Sequence, residues 1–298
     1  MPVRPAQHYT MGGVRTNYTG ESPTLKGLFS AGEAACWDMH GFNRLGGNSV
    51  AETVAAGMIV GEYIADYCER SDSAANIPTS LIQETFQREQ AKIDAFVEGR
   101  GTENPATIMA EMQHVMTNKV GIFRTGKVLE EAVHDLQQLL LRSRNIGLRY
   151  KARGANPELV TAYRVRKMLK MALCVAYGAY ARTESRGAHF REDFPRRNDA
   201  EWLNRTLATW KSENDTLPSL SYEPLDVMKM ELPPGWRGYG AKDHIDHPDT
   251  AKRLAEIEAL KQSRDGVDRF AFQAKLMPYQ HLLPGRFRGR NERIDERL

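Results

Sequence analysis

"NPELVTAYRVRKMLKMALCVAYGAYARTES", residues 156–185, sets Val165, Leu169, Ala172, Ala176 and Ala179 three and four residues apart. That spacing puts them on one face of an α-helix. Small residues on the face let a neighbouring helix approach closely, so the segment reads as the central helix of a bundle. Three earlier stretches share the periodicity: "TSLIQETFQREQAKIDAFVEG" at 79–99, "PATIMAEMQHVMTNKVG" at 105–121 and "GKVLEEAVHDLQQLLLRSRNIG" at 126–147. Most of these patterns end in or near glycine, which suits a helix terminus.

The texture differs on either side of the bundle. Residues 1–70 are glycine-rich and lightly charged, and "VAETVAAGMIVGEYIADYC" at 50–68 predicts a helix carrying Val50, Val54, Met58, Gly61 and Ala65 along one line. The Asn48-Ser49 pair stands where an N-cap belongs. "GLFSAGEAA" at 27–35 is a short apolar run entering a glycine turn, as a buried strand end would be. Beyond 190 prolines, aromatics and charges mix; "LSYEPLDV" at 220–227 is the best strand candidate, and a last helix at about 248–265 precedes the basic tail "GRFRGRNERIDERL". The expected organisation is a mixed α and β, mostly helical chain in three parts: 1–70, a helical bundle at 71–190, and a small irregular C-terminal region at 191–298.

Composition narrows the function classes. With 298 residues, 41% hydrophobic and 27% charged, the chain is a globular protein with ample core, and a net charge of +3 gives no nucleic-acid footprint. Cys36, Cys68 and Cys174 are scattered and odd in number, which argues for reduced thiols rather than a disulfide framework or a metal cradle. The longest apolar stretch, "MALCVAYGAYA" at 171–181, is well short of the ~20 residues that span a bilayer.

Three constellations carry chemistry-bearing groups. "GEAACWDMHGFNRLGGNS" at 32–49 holds Glu33, His40, Asn43, Arg44, Asn48 and Ser49 among glycines. It reads either as a glycine-rich loop with a salt-bridged arginine or as a ligand site at a helix N-terminus, where free N–H groups and the helix dipole favour an anion. His8, followed by Gly12-Gly13, reads either as a structural histidine or as a ring presented by a tight turn. "RTESRGAHFREDFPRR" at 182–197 packs alternating charges into a short span and reads as a solvated loop or as a loop pairing with another segment. "DHIDH" at 243–247 has ligand-type residues but no fourth partner, so no metal site is assigned.

Taken together, "RPAQHYTMGG" (4–13), "KGLFSAGEAACWDMHGFNRLGGNSVAE" (26–52), "VGIFRTG" (120–126) and "ESRGAHFREDFPRRND" (184–199) resemble the flavoprotein subunits of fumarate reductases and succinate dehydrogenases, particularly the quinol:fumarate reductases. The resemblance covers essentially the whole chain but only the C-terminal half of such a subunit. It implies that residues 1–70 are the end of an FAD-binding α/β domain, that the chain is part of a longer protein whose N-terminal half lies elsewhere, and that 191–298 docks on an iron–sulfur subunit. By the family pattern His8 and Arg44 bind the carboxylates of fumarate or succinate, while Tyr9, Glu33, Asn48, Ser49 and Val50 contact FAD. The family's proton-delivering arginine and its G-x-G-x-x-G phosphate loop have no counterpart here, so this chain alone is expected neither to hold FAD firmly nor to turn over fumarate. The resemblance further implies a peripheral site on the cytoplasmic face of the inner membrane, reached through the iron–sulfur protein and a membrane cytochrome b subunit. The alternatives are an L-aspartate oxidase-like flavoprotein, whose "HY-MGG" and "ESRG-H" elements are similar, and a non-catalytic docking platform.

Overall fold

A computed structural model describes residues 9–37, 39–71, 77–225 and 246–262. The chain divides into two compact units, Ala74–Leu225 and the pair of segments Met1–Ser73 and Asp226–Leu298.

In the Ala74–Leu225 unit the expected bundle is present as α2 (Thr79–Glu98), α3 (Pro105–Lys119), α4 (Gly126–Arg142) and α5 (Pro157–Ala181). Side chains stop the first amides from being orphaned. Asn104 accepts from the N–H groups of Ala106 and Thr107, Thr125 from Val128, and Asn156 from Leu159; proline follows both asparagines, where its missing N–H costs nothing. Val165, Leu169, Ala172, Ala176 and Ala179 are all buried, with Ile108 of α3 and Leu129 and Leu136 of α4 in the same core. The α5 helix packs against α2, α3 and α4, the central position its small residues predict.

Past α5 come a one-turn helix, α6 (Asp199–Trp202), and a hairpin. The hairpin pairs β3 (Asn204–Thr209) antiparallel with β4 (Ser219–Pro224), in a register running from Asn204 opposite Pro224 to Thr209 opposite Ser219. The strand predicted at 220–227 is therefore β4, and its last two residues, 226 and 227, lie outside the described residues. Residues 191–225 group with the helices rather than opening a separate region. Two arginines hold them there. Arg191 donates through Nη1 to the carbonyls of Ala179, Tyr180 and Arg182, closing the C-terminus of α5, and Arg182 reaches the carbonyls of Trp202 and Asn204.

In the other unit, β1 (Val14–Arg15) pairs in parallel with β2 (Ala35–Cys36), which follows a single 3-10 turn at Gly32–Ala34. Gly13 has φ of +130°, and a Cβ there would collide with the Ala34 carbonyl, so this glycine serves the close approach of the two segments. The apolar run at 27–35 is not a strand end along its length; only its last residue, Ala35, enters one. The long helix α1 spans Asn48–Arg70, and α7 spans Thr250–Gln262, within the limits expected for the last helix.

Two expectations about α1 are corrected. Its N-cap is Gly47, left-handed at φ 81°, with no side-chain cap, so Asn48 and Ser49 stand in the first turn instead. The line Val50, Val54 and Met58 is exposed, at 71%, 59% and 48%, whereas Glu52, Ala56 and Val60 are buried. Val60 packs so closely on Gly20 that a Cβ there would overlap it, and Glu52 is drawn inward by three hydrogen-bond donors. Among the described residues no helix is long and apolar enough to cross a membrane.

Candidate functional site around the first turns of α1

Two of the segments that the sequence singled out, the start of the chain from Tyr9 and the stretch 32–49, meet at the N-terminal half of α1. The 3-10 turn packs on the helix near Thr53, and it carries Glu33 outward; Glu33 Oε1 accepts the Thr10 amide at 2.8 Å. A tight turn follows β2, closed by the Asn43 amide donating to the His40 carbonyl, with Gly41 at φ 58°. Arg44 emerges from this turn, and its guanidinium carbon lies 5.2 Å from the centroid of the Tyr9 ring, a cation–π contact.

Glu52 sits one turn into α1, 3% exposed, and gathers the site. Its Oε1 accepts from Trp37 Nε1 at 2.9 Å, and its Oε2 accepts from the Tyr9 hydroxyl at 2.9 Å and meets His40 Nε2 at 2.7 Å. Burial pushes the carboxyl up, but the hydrogen bonds from Trp37, His40 and Tyr9 outweigh it and hold the pKa below the usual carboxylate value. Glu52 is therefore an anion, stabilised by one donor from the segment ahead of β1 and two from the connection after β2. Tyr9 moves the other way, pushed up to about 12 by burial first and by Glu52 second, so its hydroxyl stays protonated and donates.

The start of α1 offers groups suited to a ligand. In its first turn the Asn48 amide donates to the Leu45 carbonyl, while the amides of Ser49 and Val50 have no intrahelical acceptor. Among the described residues Ser49 Oγ is buried without a hydrogen-bond partner, as is Arg44 Nε. A Cβ at Gly46 or Gly47 would meet nothing within 4 Å, so the approach to the helix start is open. The Ser49 and Val50 amides, an unpaired buried hydroxyl and an exposed acidic side chain, Glu33, on the adjoining turn suit a ligand that both accepts and donates hydrogen bonds. Val50 contributes an exposed apolar side chain and the third amide of the turn.

The structure thus brings together Tyr9, Glu33, Arg44, Asn48, Ser49 and Val50 around one helix start. His8 lies outside the described residues, as do Asp243 and His244 of the "DHIDH" stretch and the whole basic tail. Of that stretch, His247 Nδ1 accepts the Asp249 amide. Trp37 and Glu52 were not anticipated. The available signal was a carboxylate at position 52, spaced four and eight residues from Ala56 and Val60 on what proves to be the buried face of the helix.

The charged run at 182–197 is not a solvated loop; of its two readings the structure favours the second, a loop that pairs with other segments. Glu184, fully buried, accepts from Arg182 at 2.6 Å and from Arg186 at 2.8 and 2.9 Å, and Arg186 also bonds Asp199 at 2.6 Å. Arg182 stacks on Trp202 with its guanidinium carbon 4.8 Å from the ring centroid. The network joins the end of α5 to α6 and β3. A groove of about 300 Å³ in this unit, lined by Glu111, His114, Asp135 and Arg142, contains none of the predicted site residues.

The chain is similar to known proteins along most of its length. Residues 1–50 match the family model of an FAD binding domain, and residues 109–239 match that of the fumarate reductase flavoprotein C-terminus. The chain is 50% identical to a fumarate reductase flavoprotein subunit of Helicobacter pylori, over 99% of this chain and 41% of the relative. Against the corresponding subunit of Mycobacterium tuberculosis the identity is 37%, over 80% of this chain and 41% of the relative. Among solved structures, the FrdA chain of an Escherichia coli quinol fumarate reductase superposes with a TM-score of 0.72 at 33% identity, covering 78% of this chain and 39% of that one. The chain spans about two fifths of the length of these relatives.

Proposed function

Because the chain belongs to the flavoprotein family of fumarate reductases and succinate dehydrogenases, we propose that it forms the C-terminal portion of a flavoprotein that interconverts fumarate and succinate. The observation that carries the reading is the arrangement at the start of α1: Arg44 held across the Tyr9 ring, beside an open helix N-terminus with an unpaired buried hydroxyl.

In this reading Asn48, Ser49 and Val50 hold the pyrimidine edge of FAD, and Glu33 holds its polyol chain. The helix dipole at that edge favours negative charge on the reduced ring. FAD, when bound, supplies hydride chemistry. Arg44 and His8 grip a carboxylate of the dicarboxylate. Fumarate is a dianion, and hydride addition to its double bond builds negative charge beside a carboxylate, so cationic and N–H donors placed there stabilise the charge as it develops. Arg44 supplies a planar fork matched to a carboxylate, and His8 a directional donor. The remainder of the flavoprotein supplies the dinucleotide-phosphate loop and the proton donor. An iron–sulfur subunit and, through it, a membrane cytochrome b subunit complete the electron path at the cytoplasmic face of the inner membrane.

The test uses the complete flavoprotein that carries this chain. Arg44→Lys keeps the charge and loses the fork. It is expected to lower kcat/KM for fumarate by about 10²–10³-fold with FAD content unchanged. A change below about threefold, with FAD content unchanged, contradicts the assignment of Arg44.

A further inference from the structure

We infer that Glu52 is a positioning residue for the dicarboxylate site: through Tyr9, Trp37 and His40 it fixes the segment ahead of β1 against the turn that bears Arg44, and through the Tyr9 ring it sets the guanidinium plane of Arg44. The inference rests on the reading of Arg44 given above and adds to it the element that holds it in place.

The geometry is specific. The three donors come from two stretches: Tyr9 from the segment ahead of β1, and Trp37 and His40 from the connection between β2 and Arg44. Tyr9 and His40 share one carboxylate oxygen, and their rings meet edge to face with centroids 5.7 Å apart and planes at 85°. A shared acceptor and a ring contact leave little freedom between the two segments. Tyr9 is one peptide bond from His8, and His40 is four residues before Arg44. The Tyr9 ring then has two duties: its hydroxyl is anchored on Glu52, and its face carries the Arg44 guanidinium at 5.2 Å. A helix is a rigid support for such an anchor, and a misplacement of about 1 Å in a binding constellation is enough to lower its performance up to 10²-fold. The long reach of the tether, 43 residues between Tyr9 and Glu52, places this role outside ordinary local turn chemistry.

Substitutions at Glu52 grade the tether. In Glu52→Gln the amide oxygen still accepts from Trp37, but the amide nitrogen that replaces Oε2 cannot accept from the Tyr9 hydroxyl or from His40 Nε2–H, so those two links are weakened while the first is kept. In Glu52→Ala all three are lost. Tyr9→Phe removes only the hydroxyl that links the Arg44 support to the helix.

The experiment is calorimetric titration of malonate, a dicarboxylate that does not react, into the complete FAD-loaded flavoprotein and its variants, with flavin content and unfolding midpoint recorded alongside. Malonate affinity is expected to fall at least ~10-fold in Glu52→Ala and about threefold in both Tyr9→Phe and Glu52→Gln, and the Glu52→Ala/Tyr9→Phe double variant to be no weaker than Glu52→Ala alone, as for residues acting as one unit. If Glu52→Ala does not fold, Tyr9→Phe and Glu52→Gln carry the same titration. Should the unsubstituted protein bind malonate and the Glu52 and Tyr9 variants bind it within about twofold, or should the two substitutions weaken binding independently, the positioning role is overturned while the dicarboxylate site stands. Failure of the unsubstituted, FAD-loaded protein to bind malonate overturns the site itself, and the positioning role with it.

Discussion

The two charged centres of this chain are built to opposite ends. Around Glu184 the charges close on one another: a fully buried carboxylate is shared by Arg182 and Arg186, Arg186 goes on to Asp199, and Arg191 is spent on the carbonyls that end α5. Around the start of α1 they do not. Glu52 is satisfied, but among the described residues Ser49 Oγ and Arg44 Nε are buried without partners, and Val50, Val54 and Met58 face outward. Buried polar groups are almost always paired in a segment that only has to fold. The first centre is a clamp, and in the reading proposed above the second receives a ligand.

The sharpest way to break the comparison is at the clamp. Glu184→Ala strands two buried guanidinium groups and is expected to cost about 3–5 kcal/mol of unfolding free energy, read from urea denaturation followed by circular dichroism. A loss under about 1 kcal/mol shows that the network is not holding the hairpin to α5.

Acid titration gives the next largest effect. His189, buried in the same loop, is pushed down to about 4, chiefly by burial and then by the neighbouring charges of Arg124 and Arg182. The unfolded chain takes up this proton near pH 6.5 and the folded chain only near 4, so stability is intact above the first value and falls as pH drops towards the second. The total is on the order of 3 kcal/mol, and in His189→Gln that part of the pH dependence should flatten. An unchanged slope between pH 6.5 and 4 in the variant contradicts the assignment. Asp193, pulled to about 2 by its paired bonds from Arg191, extends the loss to still lower pH.

At the open centre the expected stability effect is the smallest. Ser49→Ala removes a hydroxyl that bonds nothing among the described residues, so the unfolding midpoint should move by less than the equivalent of about 0.5 kcal/mol, while FAD uptake by the complete flavoprotein weakens several-fold. A large loss of stability with unchanged FAD affinity would reverse the contrast.

How far the sequence revealed these centres depends on what each pattern encodes. The bundle was legible because Val165, Leu169, Ala172, Ala176 and Ala179 repeat over several turns, and their small size foretold the central place of α5. The α1 helix was equally legible, but not its buried face. Periodicity reports which side chains are apolar, not what covers them, and the face that packs in this chain carries a carboxylate between small residues. The Glu184 network was legible only in part: alternating charge left open a solvated loop or one that pairs with another segment, and the partners that decide it, Asp199 and the Trp202 carbonyl, are set by the fold. At the site, Glu33, Arg44, Asn48, Ser49 and Val50 could be named from the motif, whereas Glu52 and Trp37 act only through a contact made across the fold.

The most direct measurement of the central claim is an experimental structure of the complete FAD-loaded flavoprotein with fumarate or malonate bound. The account predicts one carboxylate of the ligand within hydrogen-bonding distance, about 2.7–3.2 Å, of both the Arg44 guanidinium and the His8 ring, with Tyr9 still bonded to Glu52. A ligand carboxylate held elsewhere, with Arg44 and His8 directed into separate clefts, would contradict it.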